Sequence, residues 1–179
     1  MKKGELKDKA YAQMLESTTK LNTPGMVLAD LPESRSHGYL ALAHGLRAAS
    51  PDEAIGFIST AVELGRRHGD RDLELLAQQE LGAAYVGAGH VPDGLALVDD
   101  AACVALAGEP SPIASGTIYC ATIALYRDLG DLRRAAEWAE RTLEWCEVES
   151  LSGFPGICRI QRAEILRALG DLETAEAEA

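Results

Sequence analysis

Beyond position 20 the chain contains no lysine. Lys2, Lys3, Lys7, Lys9 and Lys20 are the whole complement, and the other twelve basic residues are arginines. Asparagine occurs once, at Asn22, and aromatic residues make up only 5% of the sequence. No run of 18 apolar residues exists, so no membrane-spanning helix is expected. The start, Met1-Lys2-Lys3-Gly4-Glu5, is not followed by the apolar stretch of a signal peptide, and a cytoplasmic address is the expectation. A Gly-x-x-x-x-Gly-Lys-Ser/Thr phosphate loop is missing, as is a Gly-x-Ser-x-Gly nucleophile turn. Neither nucleotide hydrolysis nor enzyme activity of another kind is expected, and no cofactor is implied.

Metal-type spacing is missing too. Cys103, Cys120, Cys146 and Cys158 are separated by 17, 26 and 12 positions, without a Cys-x-x-Cys pair or a zinc-like Cys/His cluster. Cys103, Cys120 and Cys158 lie in apolar helical contexts and read as buried thiols, since cysteine packs as a small hydrophobe. Of the histidines His37, His44, His68 and His90, the first two are seven apart on one predicted helix, with no third ligand one turn away. No metal site follows.

The formal net charge is −11. Nucleic-acid binding depends on neutralising phosphates with Lys and Arg, so direct contact with DNA or RNA is disfavoured. The charge is unevenly placed. In residues 1–33 the five lysines balance Glu5, Asp8, Glu16, Asp30 and Glu33, and the whole deficit falls in the remainder. This break marks residues 1–33 as an N-terminal extension or linker, with a tag, a fusion segment and a natural linker all open as its origin. Leu6, Ala10, Met14 and Leu21 predict one helix there, broken by Thr23-Pro24-Gly25.

What the chain does have is repetition. Ser50-Pro51-Asp52 is echoed 41 positions later by Val91-Pro92-Asp93. Gly89 is echoed by Gly130 and Gly170, and the last two open Leu129-Gly130-Asp131-Leu132 and Leu169-Gly170-Asp171-Leu172. A period in this range signals stacked helical hairpins that cannot bury their apolar faces alone. The expected fold is therefore all-α: a right-handed α-solenoid of about three and a half hairpins over residues 34–179. The helix opened by Asp171 stops within about two turns without a C-cap, so the array is expected to be truncated at its C-terminus.

The predicted helices are 36–48, 51–68, 71–88, 92–106, 113–129, 131–146, 156–169 and a short one from 171. No strand is predicted. In the sixth, Leu132, Ala136, Ala139, Leu143 and Cys146 share one face. Trp138 and Trp145 lie seven apart on a neighbouring face, and packing against the next hairpin is expected of them before a binding platform. Glu137 and Arg141 are spaced for an ion pair one turn apart.

Leu81-Gly82-Ala83-Ala84-Tyr85 resembles the Leu-Gly-x-x-Tyr core of the tetratricopeptide repeat. Gly94 stands where that repeat wants alanine; Tyr126 with Ala135, then Leu166 with Ala175, take the matching places in later hairpins. At 40–41 residues the unit is longer than the standard repeat. From about Pro32 onward the chain resembles the repeat region of actinobacterial LuxR-type regulators that carry an ATPase module. Gly116-Thr117-Ile118-Tyr119-Cys120, Trp138 through Trp145-Cys146 and Phe154-Pro155-Gly156-Ile157-Cys158-Arg159 carry that likeness. The resemblance implies a non-catalytic module that receives a signal, from a protein or a small effector, for a transcriptional regulator or signalling ATPase.

In such stacks the first helix of each hairpin lines the concave side. The tetratricopeptide register puts Gln79, Ala83, Val86, Cys120, Ala124, Arg127, Asp128, Glu164 and Arg167 on that side. Gln79, Arg127, Glu164 and Arg167 are the candidate contacts for a polar ligand or peptide terminus, because arginine grips carboxylates bidentately. The alternative is that they are solvated residues in local ion pairs. A protein or peptide partner is expected first and a small effector in the groove second. A homodimer through uncapped ends is a further expectation.

Overall fold

The computed structural model describes residues 32–148 and 154–178, with the side chains of 154–158 outside that set. The helix expected over 6–21 lies outside the described residues. Within them the chain is entirely helical: α1 Arg35–Gly45, α2 Pro51–His68, α3 Arg71–Gly87, α4 Val91–Leu106, α5 Pro112–Asp128, α6 Leu132–Val148, α7 Phe154–Leu169 and α8 Leu172–Glu178.

Local chemistry sets the helix ends. Ser50 and Ser111 accept from the backbone N–H groups of Glu53 and Ala114, each with a proline in the first turn of the helix it opens. Asp70, Asp131 and Asp171 do the same for Leu73, Arg134 and Thr174 at 3.0, 3.1 and 3.2 Å. These caps satisfy donors that have no partner inside the helix. At the far end of α5, Gly130 takes φ +80°. Its N–H reaches the Arg127 carbonyl and that of Asp131 reaches the Tyr126 carbonyl, both at 2.9 Å. A side chain would strain that left-handed turn. The same bond pair recurs after α3, at Gly89-His90, and after α7, at Gly170-Asp171. It recurs after α2 as well, at Gly69-Asp70, so the echo at Gly89, Gly130 and Gly170 is the footprint of one turn used four times among the described residues.

Each helix packs against the next in the chain. Neighbouring odd-numbered helices also touch, α1 with α3, α3 with α5 and α5 with α7, while even-numbered neighbours make little contact. The layer whose members approach one another is the inside of the curve, so the odd helices line the inner face. α3 and α4 approach most closely at Gly82 and Gly94. A β-carbon on Gly94 would lie 2.5 Å from the Gly82 carbonyl oxygen, and one on Gly82 2.6 Å from that of Gly94. Gly94 therefore replaces the expected alanine because the facing residue is itself only backbone.

Two apolar clusters run through the stack. Leu42, Ile58, Val62, Leu73 and Ala77 join α1, α2 and α3. Leu75, Ala101, Ile118, Ile123, Ala135 and Ile165 join α3 through α7. Both cross hairpin boundaries, so burial couples each pair of helices to its neighbour.

Two local expectations are corrected, and a third gains a neighbour. Trp138 and Trp145 pack on Tyr119 of α5, within their own hairpin, at ring separations of 6.3 and 5.1 Å. Trp138 also belongs to the buried cluster that holds Ile165 of α7, and Trp145 packs against that cluster, so the pair bridges its own hairpin and the next. Arg141 does not pair with Glu137; it lies over the Trp138 ring, 5.4 Å from its centre, and Glu137 takes Arg133 at 3.1 Å. A half-desolvated aromatic face competes well against a solvated carboxylate. Cys103 is exposed and Cys120 half-buried, whereas Cys146 is buried; the side chain of Cys158, also expected to be buried, lies outside the described residues. Cys103 falls on the outward side of α4, opposite Ala101, Ala102 and Ala105.

Candidate interaction surface

Polar side chains tie the odd helices to the rest of the array. Glu74, buried in α3, accepts from Arg66 at 2.8 Å and Arg71 at 2.7 Å, and Arg71 continues to Glu109. Burial pushes the Glu74 carboxyl up, but the two guanidiniums more than offset this and hold it below the usual carboxylate range. Asp72 accepts from the Ser111 backbone N–H at 2.7 Å, across 39 residues. Gln78 donates to Asp100 at 2.7 Å.

A denser node surrounds Tyr126 of α5. Its hydroxyl donates to Asp99 of α4 at 2.6 Å and accepts from Arg134 of α6 at 3.0 Å. The Arg134 guanidinium also lies 5.4 Å from the Tyr126 ring centre. Burial first, then the bond to Asp99, pushes the Tyr126 hydroxyl up to about 12. The tyrosine at the repeat's aromatic position thus joins two even helices through an odd one. The sequence placed Tyr126 at the repeat's tyrosine position, but its hydrogen-bond partners carry no periodic signal.

The inner face itself is mixed. On α5 it carries Cys120, Ala124 and Arg127, and on α7 Ile160, Glu164 and Arg167. Arg127 donates to Glu164 at 2.9 Å and to Asp128 at 3.1 Å. The structure therefore joins two of the four candidate residues in one ion pair between neighbouring odd helices. Glu164 and Arg167 are both exposed and share a cleft of about 520 Å³ with Ile160, Ala163, Leu172 and Ala175. Arg167 has no ion-pair partner among the described residues. Gln79 stands apart. It is only 3% exposed in α3 and does not offer its amide to an open face. Its helical register does not carry that burial.

The histidines have separate partners. His37 Nδ1 accepts from the Ser34 backbone N–H at 3.1 Å, closing the cap of α1. His44 lies against Phe57 and His90 against Tyr85. Among the described residues no three His, Cys, Asp or Glu side chains are grouped to hold a metal, and no helix is long and apolar enough to cross a membrane.

No protein-family model matches the sequence, and no curated protein matches it. Among solved structures, the chain is similar to the crystal structure of nearly identical TPR-like repeats described as a kinesin light chain of Podosopora anserina. The match covers 94% of this chain and 85% of that one, with a TM-score of 0.60 and 18% identity. At that identity the likeness establishes the fold: an α-solenoid of tetratricopeptide-like helical hairpins.

Proposed function

We propose that this chain is a non-catalytic recognition array that receives a protein or peptide partner on the inner face of α3, α5 and α7. The observation that carries the reading is the open inner surface of α5 and α7. There Ile160 is 59% exposed beside the charged Arg127, Glu164 and Arg167. A helical stack offers such a surface without a reaction centre, and apolar patches ringed by charge mark binding sites. The likeness of Phe154 through Arg159 to LuxR-type repeats supports a place in signal reception for an ATPase-linked regulator.

The test is site-specific photocross-linking in the source cell. A photoreactive residue at Ala124, on the inner face, is expected to capture a defined partner. One at Arg133, whose side chain is 80% exposed on α6, is expected to capture none. Equal labelling from both positions refutes the inner-face reading.

A small effector is the second reading, favoured by the volume of the cleft beside Arg167, which falls in the range of small-molecule sites. Thermal denaturation against a metabolite panel separates it. A ligand at 100 times its dissociation constant adds about 2.7 kcal/mol.

A further inference from the structure

The α3–α4 and α5–α6 hairpins differ at one place by a reversal of charge. A step of 41 residues carries Tyr85 to Tyr126, Asp93 to Arg134, Leu97 to Trp138 and Asp100 to Arg141. In the later hairpin each arginine lies on an aromatic ring of that hairpin. Arg134 stands 5.4 Å from the centre of Tyr126, and Arg141 stands 5.4 Å from that of Trp138. Arg134 also donates to the Tyr126 hydroxyl, with Asp99 at 3.7 Å and Asp131 at 3.6 Å.

The earlier hairpin has aspartates where those arginines stand. There Tyr85, Asp93, Ala96, Leu97 and Asp100 line a cleft of about 460 Å³ between α3 and α4. The Tyr85 hydroxyl and the Asp93 carboxylate form no bond to a described residue, unlike the Tyr126 hydroxyl. Asp100, two turns further along α4, accepts only from Gln78 among the described residues. His90, at the place of Asp131, packs nearly perpendicular to the Tyr85 ring at 6.1 Å.

We propose that this cleft takes the arginine side chain of a protein partner. The guanidinium sits on Tyr85 beside Asp93, as Arg134 sits on Tyr126, and Leu97 lies under its stem. Asp100 adds attraction from the other end. The site goes beyond the inner-face reading, because four of its five lining residues belong to an even-numbered helix.

Two further observations choose the occupant. A guanidinium stacks on aromatic faces and is weakly hydrated, whereas an ammonium is compact and holds its water. The chain has no such group to spare for the cleft: all twelve of its arginines lie among the described residues, and none lines it. The net charge of −11 argues against a second copy as the donor, because two such chains repel.

The experiment titrates the full 179-residue chain with N-acetyl-arginine methylamide, followed residue by residue by NMR. Saturable shifts are expected at Tyr85, Asp93 and Leu97, with weaker binding of the lysine analogue. Asp93→Asn should weaken binding about fivefold, the upper range for an exposed ion pair. Asp93→Arg, which copies the later hairpin, should abolish binding. The Tyr85 ring protons of that variant should shift as they do in the unaltered chain when saturated, which a misfolded variant cannot reproduce.

Absence of saturable shifts at Tyr85 and Asp93 overturns the inference, and so does affinity indifferent to Asp93→Asn. Equal affinity for the lysine analogue reduces the cleft to a patch of negative charge and overturns it as well. Tighter binding of free arginine than of the capped form assigns the cleft to a metabolite and removes the partner. Binding that appears only after Lys2, Lys3, Lys7, Lys9 and Lys20 are changed to glutamine assigns it to the chain's own head. A dimer of the free chain that Asp93→Arg dissociates assigns it to a second copy. Each result stands apart from cross-linking at Ala124, whose failure removes the inner-face reading alone.

Discussion

Residues Gly82 and Gly94 show how little space separates α3 from α4. Gly94→Ala, although it restores the alanine of the tetratricopeptide pattern, drives a methyl group into the Gly82 carbonyl. Overpacking of this kind costs about 1–3 kcal/mol. Gly56→Ala in α2 meets nothing within 4 Å and is expected to stabilise by roughly 0.5–1 kcal/mol through helix propensity. Thermal melts of the two variants should move in opposite directions. A rise for Gly94→Ala contradicts the close approach. Tyr126 carries a prediction in pH. Its folded-state hydroxyl titrates near 12 against an ordinary 10.0, so the native state holds the proton more tightly. Its contribution to stability is complete below pH 10 and is lost as pH rises from about 10 to about 12. Tyr126→Phe should cost about 1 kcal/mol at neutral pH and flatten that alkaline loss. Denaturant titrations at pH 8 and pH 11 check both parts.

Helix boundaries were the part of the fold most open to reading from the chain. Pro51 and Pro112 in first turns, the Asp caps and the Gly130 turn each act through bonds spanning three to five residues, so the sequence carries them whole. Asp131→Ala removes the cap of α6 and a carboxylate 3.6 Å from Arg134, and should lower stability by about 1 kcal/mol. Asp171→Ala, in the same place on α8, should cost less in the global transition, because α8 has seven residues and packs chiefly on α7. Chemical denaturation of the pair is the check, and equal losses would contradict it. Side-chain direction was less legible. The spacing of Trp138 and Trp145 gave a face, but their packing on Tyr119 was not legible in it.

At the scale of the whole molecule, stability is a sum over neighbouring hairpins. Ile123 is fully buried where α5 meets α7, and Ile123→Ala should cost 2–5 kcal/mol. The loss should be local in a stack built of nearest-neighbour contacts. Hydrogen exchange is expected to quicken in α5, α6 and α7 while α1 and α2, held by their own cluster, keep their protection. Uniform acceleration through all helices would contradict a serial stack. Of the candidate site, Arg127, Glu164 and Arg167 were placed on one side of the array from register alone. The burial of Gln79 and the pairing of Arg127 with Glu164 were not, because the first is set by the packed array and the second by how far apart α5 and α7 stand.

Taken by itself, the amino-acid order determined the all-α class, the hairpin unit of 40–41 residues and the turn chemistry that repeats it. These rest on contacts within a few positions of each other, and a periodic chain prints them in plain view. Only the tertiary structure decided which charges pair and which glutamine is buried. Those outcomes depend on the distance and tilt between helices about 40 positions apart, which packing sets and no local pattern encodes.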